Sequence, residues 1–263
     1  MSNGANATSA PWRATWLGQA GLRLETHHGC VVVDPWISLH DDRLVPTPPL
    51  ELAVDGVDWL LVTHEHLDHL DLPLLPALLE RSPEARIVLP APLVELVDHV
   101  VPVSRLRPVE PHDTLSLDGI ELTVVPAVHG LTTEDAYSDG SEADGRPRFV
   151  GYVLGDRRRV YHAGDTIVTD DVRLALEPLG VEVAFLPING RDAEREARGI
   201  VGNMDAAEAV ELAVAIGAKR LVPIHWDGFA GNTVSPASAV DAAAGRIDVH
   251  VPVRFEPFDL DVE

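Results

Sequence analysis

The stretch Val57-Asp58-Trp59-Leu60-Leu61-Val62-Thr63-His64-Glu65-His66-Leu67-Asp68-His69-Leu70-Asp71 decides the reading of this chain. Its first part is an apolar run that reads as a buried strand over 57–63. Its second part sets His64, His66, Asp68 and His69 at the spacing His-x-His-x-Asp-His. Four metal-competent side chains thus fall within six residues. A buried strand holds such side chains stiffly while their heads face an open cleft. That arrangement suits metal-assisted chemistry.

Three more candidates follow strand-like runs. His129 stands in Pro126-Ala127-Val128-His129-Gly130, Asp165 in His162-Ala163-Gly164-Asp165-Thr166, and His225 in Pro223-Ile224-His225-Trp226-Asp227. Neutral imidazole and carboxylate suit zinc, manganese or iron. The lack of thiolates argues against a structural zinc–cysteine site. His162, three residues before Asp165, reads as a buried strand histidine or as support for a ligand. The other histidines carry no supporting pattern.

Around these positions, strands and helices alternate through the chain. Ala14–Leu17 and Leu22–Glu25 flank the turn Gly18-Gln19-Ala20-Gly21, and Cys30–Val33 is a further strand. A proline-rich loop precedes strand 57–63. Helices are expected over 72–81, 93–99, 172–179, 205–216 and 237–244, the fourth capped by Asp205 or Asn203. Further strands are expected at 86–89, 114–117, 120–125, 149–154, 159–162, 183–187 and 220–224, with two more near 247–251 and 254–258. The acidic stretch 132–148 lacks apolar periodicity and reads as a surface loop or a lid over the cleft. No linker divides the chain. Residues 1–11 read as a flexible tail and 12–263 as one α/β domain, with two similar halves facing each other.

Composition narrows the function classes. The chain has 263 residues, 46% of them hydrophobic, and a net charge of −22. Lys219 is its only lysine. Such a surface repels nucleic acid and anionic lipid. A bound metal would still admit a small anionic substrate, because the ion dominates the local field. No apolar stretch approaches the ~18 residues of a membrane span. The N-terminus lacks the pattern of a signal peptide. One cysteine, Cys30 in a strand pattern, fits a reducing compartment. The expectation is a cytoplasmic protein with a small-molecule substrate, no nucleic-acid or membrane partner, and scope for a homo-oligomer.

The set His64-x-His66-x-Asp68-His69, His129, Asp165 and His225 resembles the metallo-β-lactamase superfamily, in the right order over nearly the whole chain. The resemblance implies a four-layered αββα sandwich with the site at the edge of the paired sheets. It also implies two divalent metal ions, zinc or manganese. His64, His66 and His129 would hold one, Asp68, His69 and His225 the other, with Asp165 bridging. Zinc β-lactamases lack that bridging carboxylate and use a cysteine that this chain does not offer. His66 stands where flavodiiron proteins have glutamate. Superfamily nucleases carry basic surfaces. Leu186-Pro187-Ile188-Asn189-Gly190-Arg191, Gly202-Asn203-Met204, Pro223-Ile224-His225 and Gly231-Asn232-Thr233 are similar to the L-ascorbate-6-phosphate lactonase group, with His225-Trp226-Asp227 in place of His-Tyr-Asp.

The function so implied is a metal-dependent hydrolase acting on a lactone or similar cyclic ester. Two ions so held would supply a hydroxide near neutral pH as the nucleophile for the carbonyl. Asp68 and Asp165 are the candidate catalytic carboxylates, Asp68 orienting the nucleophile or taking its proton. Ser38 and Cys30 have no evident base partner, which disfavours covalent catalysis. Asn189, Arg191, Asn232 and Trp226 are the candidate substrate contacts. Arg195 and Arg198 complete a local basic cluster with Arg191, and Trp36 is a second candidate wall of the cleft. The alternatives are a superfamily phosphodiesterase and a non-catalytic metal-binding protein.

Overall fold

Alternation along the run before the histidine motif explains the architecture. Trp59 and Leu61 point between two sheets, whereas Leu60 and Val62 point outward to a helical layer. The same division recurs in the other half. Val183 and Phe185 face inward, and Ala184 and Leu186 outward. A sheet buried on both faces requires helices on its outer side. The result is the expected αββα sandwich. The computed structural model describes residues 12–155 and 158–262. The tail expected over 1–11 lies outside them.

The first sheet contains β1 (Arg13–Gly18), β2 (Gly21–Thr26), β3 (Gly29–Val33), β4 (Trp59–Leu61), β5 (Arg86–Pro90) and β6 (Leu106–Val109). The second contains β7 (Thr114–Leu117), β8 (Ile120–Pro126), β9 (Val150–Gly155), β10 (Arg159–His162), β11 (Val183–Pro187), β12 (Arg220–Ile224) and β13 (Asp248–Val249). The last strand, β14 (Pro257–Asp259), returns to pair antiparallel with β1, so each sheet has seven strands. The outer helices are α1 (Leu50–Val54), α2 (Leu74–Arg81) and α3 (Val94–Val97) on the first sheet. On the second lie α4 (Asp170–Leu176), α6 (Ala206–Ala215) and α7 (Ala237–Ala243), while the short α5 (Ala193–Glu196) buries no residue and belongs to the loop after β11. The capping residue of α6 is Asp205, in a reciprocal box with Glu208.

Three elements escape the sequence pattern. Strand β6, Leu106-Arg107-Pro108-Val109, contains a proline. It lies at the end of its sheet, where the missing N–H breaks no ladder. Helices α1 and α5 are 5 and 4 residues long, too short to show a period. The expected strand 57–63 is regular only over Trp59–Leu61. Val62 N–H still bonds to Val88 O of β5, but the Thr63 N–H turns to the Asp34 side chain, and that departure builds the site.

Strands β3 to β6 run parallel, as do β10 to β13. Their carboxyl ends open at one edge of the sandwich, where open α/β sheets bind ligands. Hydrogen bonds staple the two sheets together there. Val150 N donates to Thr63 O (3.1 Å), the Tyr152 hydroxyl to Val62 O (2.6 Å), and His225 N to Gln19 O (2.9 Å). No helix among the described residues is long and apolar enough to cross a membrane.

Candidate metal centre

Every candidate ligand follows the carboxyl end of a strand. His64, His66, Asp68 and His69 come after β4, His129 after β8, Asp165 after β10 and His225 after β12. All but His66 are buried.

Local bonding aims the imidazoles. Thr63 is the hub. Its N–H donates to Asp34 Oδ1 (2.9 Å) and its hydroxyl to Asp34 Oδ2 (2.6 Å). With its proton so committed, Thr63 Oγ1 is the acceptor for His64 Nδ1 at 3.0 Å. Asp34 Oδ2 also accepts from His69 Nδ1 (2.7 Å). His129 Nδ1 donates to the Gly202 carbonyl (2.7 Å). In all three rings Nδ1 is engaged and Nε2 faces the cleft, the arrangement that fixes a metal-binding tautomer. His66 instead presents Nδ1, 2.9 Å from His64 Nε2. Asp34 and His225 hold positive φ angles, 46° and 58°. Such backbone is costly for residues other than glycine and clusters at functional sites. Gly164 (φ 61°) lets the Asp165 loop press onto Thr63, because a Cβ there would lie 2.7 Å from Thr63 Cβ.

Asp165 occupies the middle. Its Oδ1 is 3.3 Å from His69 Nε2 and 3.2 Å from His225 Nε2. Its Oδ2 is 3.5 Å from His129 Nε2 and 4.0 Å from His64 Nε2. Asp68 Oδ2 lies 3.2 Å from His225 Nε2 and 3.6 Å from His69 Nε2, and it accepts from the Gln19 amide (2.8 Å). The donors fall into overlapping triplets: His66 with His129 and Asp165, Asp68 with His69 and His225, and His64 with His69 and Asp165. His69 Nε2 and Asp165 Oδ1 are buried without a hydrogen-bond partner. Orphaned buried donors and acceptors of this kind are costly. A cation between them removes that cost, so the residues present fit a metal site.

The two sets of imidazoles differ electrically. Burial, aided by neighbouring histidines, holds His64 well below the ordinary histidine range. Burial also takes His66 down to about 4 and lowers His129. For His69 and His225 burial acts in the same direction, but Asp165 and Asp68 outweigh it and raise both. Burial would raise Asp68 and Asp165 in turn. The histidines facing them reverse the sign and hold both carboxyls below the usual range.

A cavity of about 600 Å³ opens above these residues. Asn189 and Asn232 line it, joined by a hydrogen bond from Asn189 Nδ2 to Asn232 Oδ1 (2.9 Å). Asn203 lines it too and donates to Asn189 Oδ1 (3.0 Å). Of the basic cluster, Arg195 and Arg198 reach the cavity, whereas Arg191 turns away to pair with Glu208 (2.6 Å). Trp226 does not line the cavity. It stacks on buried Trp16 (centroids 5.0 Å apart) and donates its indole N–H to Pro223 O. Trp36 is buried behind Phe229, which forms the wall in its place. His162 supports the site by donating to Ala20 O (2.8 Å) and accepting from Gly164 N.

Sequence reading missed Asp34, Gln19 and Tyr137. Asp34-Pro35 at the end of a buried strand was a usable signal for the first, since a carboxylate there needs a partner. Tyr137, the sole aromatic in the acidic loop, stacks on His129 (4.8 Å, 11°) and packs at a tilt against His66 (4.4 Å, 56°). No periodicity could have placed it.

Residues 30–226 match the family described as the Beta-lactamase superfamily domain. The chain is 33% identical over 226 residues to a UPF0173 metal-dependent hydrolase of Methanopyrus kandleri, covering 82% of this chain and 85% of that one. A UPF0173 metal-dependent hydrolase of Pyrobaculum aerophilum is 30% identical over 217 residues, with coverage of 81% and 84%. The chain belongs to the UPF0173 metal-dependent hydrolases of the beta-lactamase superfamily. The fold of this UPF0173 chain is also that of Igni18, a metallo hydrolase of Ignicoccus hospitalis, with a TM-score of 0.75 at 22% identity. That match covers 97% of this chain and 100% of the other. The metal dependence of the family agrees with the seven converging donors of the UPF0173 chain.

Proposed function

We propose that the chain hydrolyses a lactone or similar cyclic ester of a small anionic metabolite, at a pair of divalent ions, zinc or manganese. The observation that carries this reading is Asp165, whose two oxygens turn to different sets of histidines. His64, His66 and His129 would hold one ion and Asp68, His69 and His225 the other, with Asp165 shared. Two ions so held supply Lewis acidity and activate water near neutral pH.

The chain's own residues supply the rest. Asp68, fixed by the Gln19 amide, orients the attacking water or takes its proton. Arg195 is neutralised by Asp192, but Arg198 forms no ion pair among the described residues. A free guanidinium beside the cavity suits a phosphate or carboxylate on the substrate. The Asn189–Asn203–Asn232 chain offers amides to ring hydroxyls. The cyclic-ester assignment is supported by the similarity of segments 186–191, 202–204, 223–225 and 231–233 to the lactonase group.

A panel of lactones, phosphodiesters and cyclic amides, assayed with zinc- and manganese-loaded protein, tests the proposal. Turnover of lactones above the other classes is the expected result. Preference for phosphodiesters would replace the reading with the phosphodiesterase alternative. Fewer than one metal equivalent after reconstitution would remove the enzyme reading altogether.

A further inference from the structure

The acidic loop after His129 contributes a group to this cavity. Loop 131–148 is fastened over the site at three places. Gly130 lies against the Ser138 carbonyl so closely that a Cβ would stand 1.6 Å from that oxygen. Ala136 N donates to Gly199 O (2.8 Å), tying the loop to the segment that carries Arg195 and Arg198. At the far root, Arg148 pairs with Glu65 (2.9 Å), inside the histidine motif itself. Within the loop, Asp135 accepts from Leu131 N (2.6 Å) and Thr132 N (2.8 Å), closing the turn that presents Tyr137.

Tyr137 is half-buried and lines the cavity together with His66, His129, Arg195 and Arg198. Its ring covers two candidate ligands of one ion. None of the hydrogen bonds among the described residues uses its hydroxyl. A wall that only shielded the histidines would need no polar tip, and a phenylalanine would serve. A tyrosine hydroxyl left without a protein partner beside a reacting centre is a donor for a ligand.

We propose that the Tyr137 hydroxyl donates a hydrogen bond to the ester ring oxygen of the substrate, the oxygen that leaves as an alkoxide when the ring opens. The proposal rests on the cyclic-ester reading. The donor is most useful where charge develops on that oxygen. It is of little use to a leaving group that carries its own charge well, such as p-nitrophenolate.

The test compares Tyr137→Phe with the parent protein, both metal-loaded. The first measurement is calorimetric binding of 4-hydroxybutyrate, the ring-opened product of γ-butyrolactone, against butyrate, which lacks the hydroxyl. The parent should prefer 4-hydroxybutyrate about tenfold, as expected for one hydrogen bond near charge. Tyr137→Phe should lose that preference with metal content unchanged. The second measurement is turnover of γ-butyrolactone against p-nitrophenyl acetate. Tyr137→Phe should lower the first by roughly 10²-fold and leave the second within about twofold. No preference in the parent, or the same preference in both proteins, overturns the inference. A Tyr137-dependent preference in a protein that turns over no lactone leaves the contact in place and removes the cyclic-ester reading.

Discussion

The two halves of the chain contribute to the candidate metal centre in opposite ways. The first half delivers four candidate ligands from one strand end, His64 to His69, and braces them with Asp34 and Thr63. The second delivers three, His129, Asp165 and His225, from three strand ends separated by 36 and 60 residues of sequence. The first set is rigid because it is local. The second is rigid only because the sheets are stapled at this edge and the Asp165 loop packs on Thr63. A site assembled this way has one half set within a single sheet, by adjacent strands β3 and β4, and a half that exists only in the folded sandwich. Asp165 joins them.

Removing the joint should do most damage. Asp165→Ala is expected to lose both ions' shared ligand and to abolish turnover, a fall of at least about 10³-fold, as should His66→Ala. Assay and metal analysis of the purified variants check this; activity surviving in His66→Ala would put the chemistry elsewhere.

Weakening the local brace should cost less. Asp34→Asn keeps the shape but releases His69 Nδ1 and Thr63 from a buried carboxylate. Supporting groups of this kind are worth roughly 10–100-fold in metal affinity. A competition titration with a chelator would read the loss. An affinity equal to the parent's would show that the histidine motif needs no brace.

The halves also separate by pH in the metal-free protein. His66 stands at about 4 against an ordinary 6.5, and His64 and His129 are lowered too. Between those values the unfolded chain binds protons that the native chain does not, so stability falls as pH drops from about 6.5 towards 4. His69 and His225 are raised. Their contribution is complete below 6.5 and fades as pH climbs above it. Thermal unfolding of chelator-treated protein should therefore give a maximum near pH 6.5 to 7. A midpoint rising steadily into alkali would contradict the assignment of His69 and His225.

The smallest contrast concerns the arginines. Arg198→Ala should raise KM for anionic lactones about tenfold and leave neutral ones unchanged. Arg191→Ala should change either by less than about twofold, since it breaks only a surface pair. Equal effects would mean that the cavity does not discriminate charge.

This contrast between the halves also explains what could be read in advance. His64, His66, Asp68 and His69 were legible because one strand end fixes their spacing. His129, Asp165 and His225 were legible because each ends a strand-like run, and the resemblance supplied their order. Layered sheets with outer helices were legible from the alternation of strand-like and helical runs, and the resemblance supplied the four-layered sandwich. Tyr137 and the division of labour between Arg191 and Arg198 were not, because they depend on how loops 131–148 and 190–203 fold over the cavity. Trp226 looked like a cleft wall, yet its partner Trp16 is 210 residues away in sequence, and only the closed sandwich brings them together.

The proposed chemistry depends on Asp165 joining two ions. Titrating metal-free protein with manganese(II) under electron paramagnetic resonance tests it most directly. Uptake of two equivalents per chain is expected, with the second converting the signal to that of an exchange-coupled pair. Saturation at one equivalent, or two ions with uncoupled spectra, would contradict it.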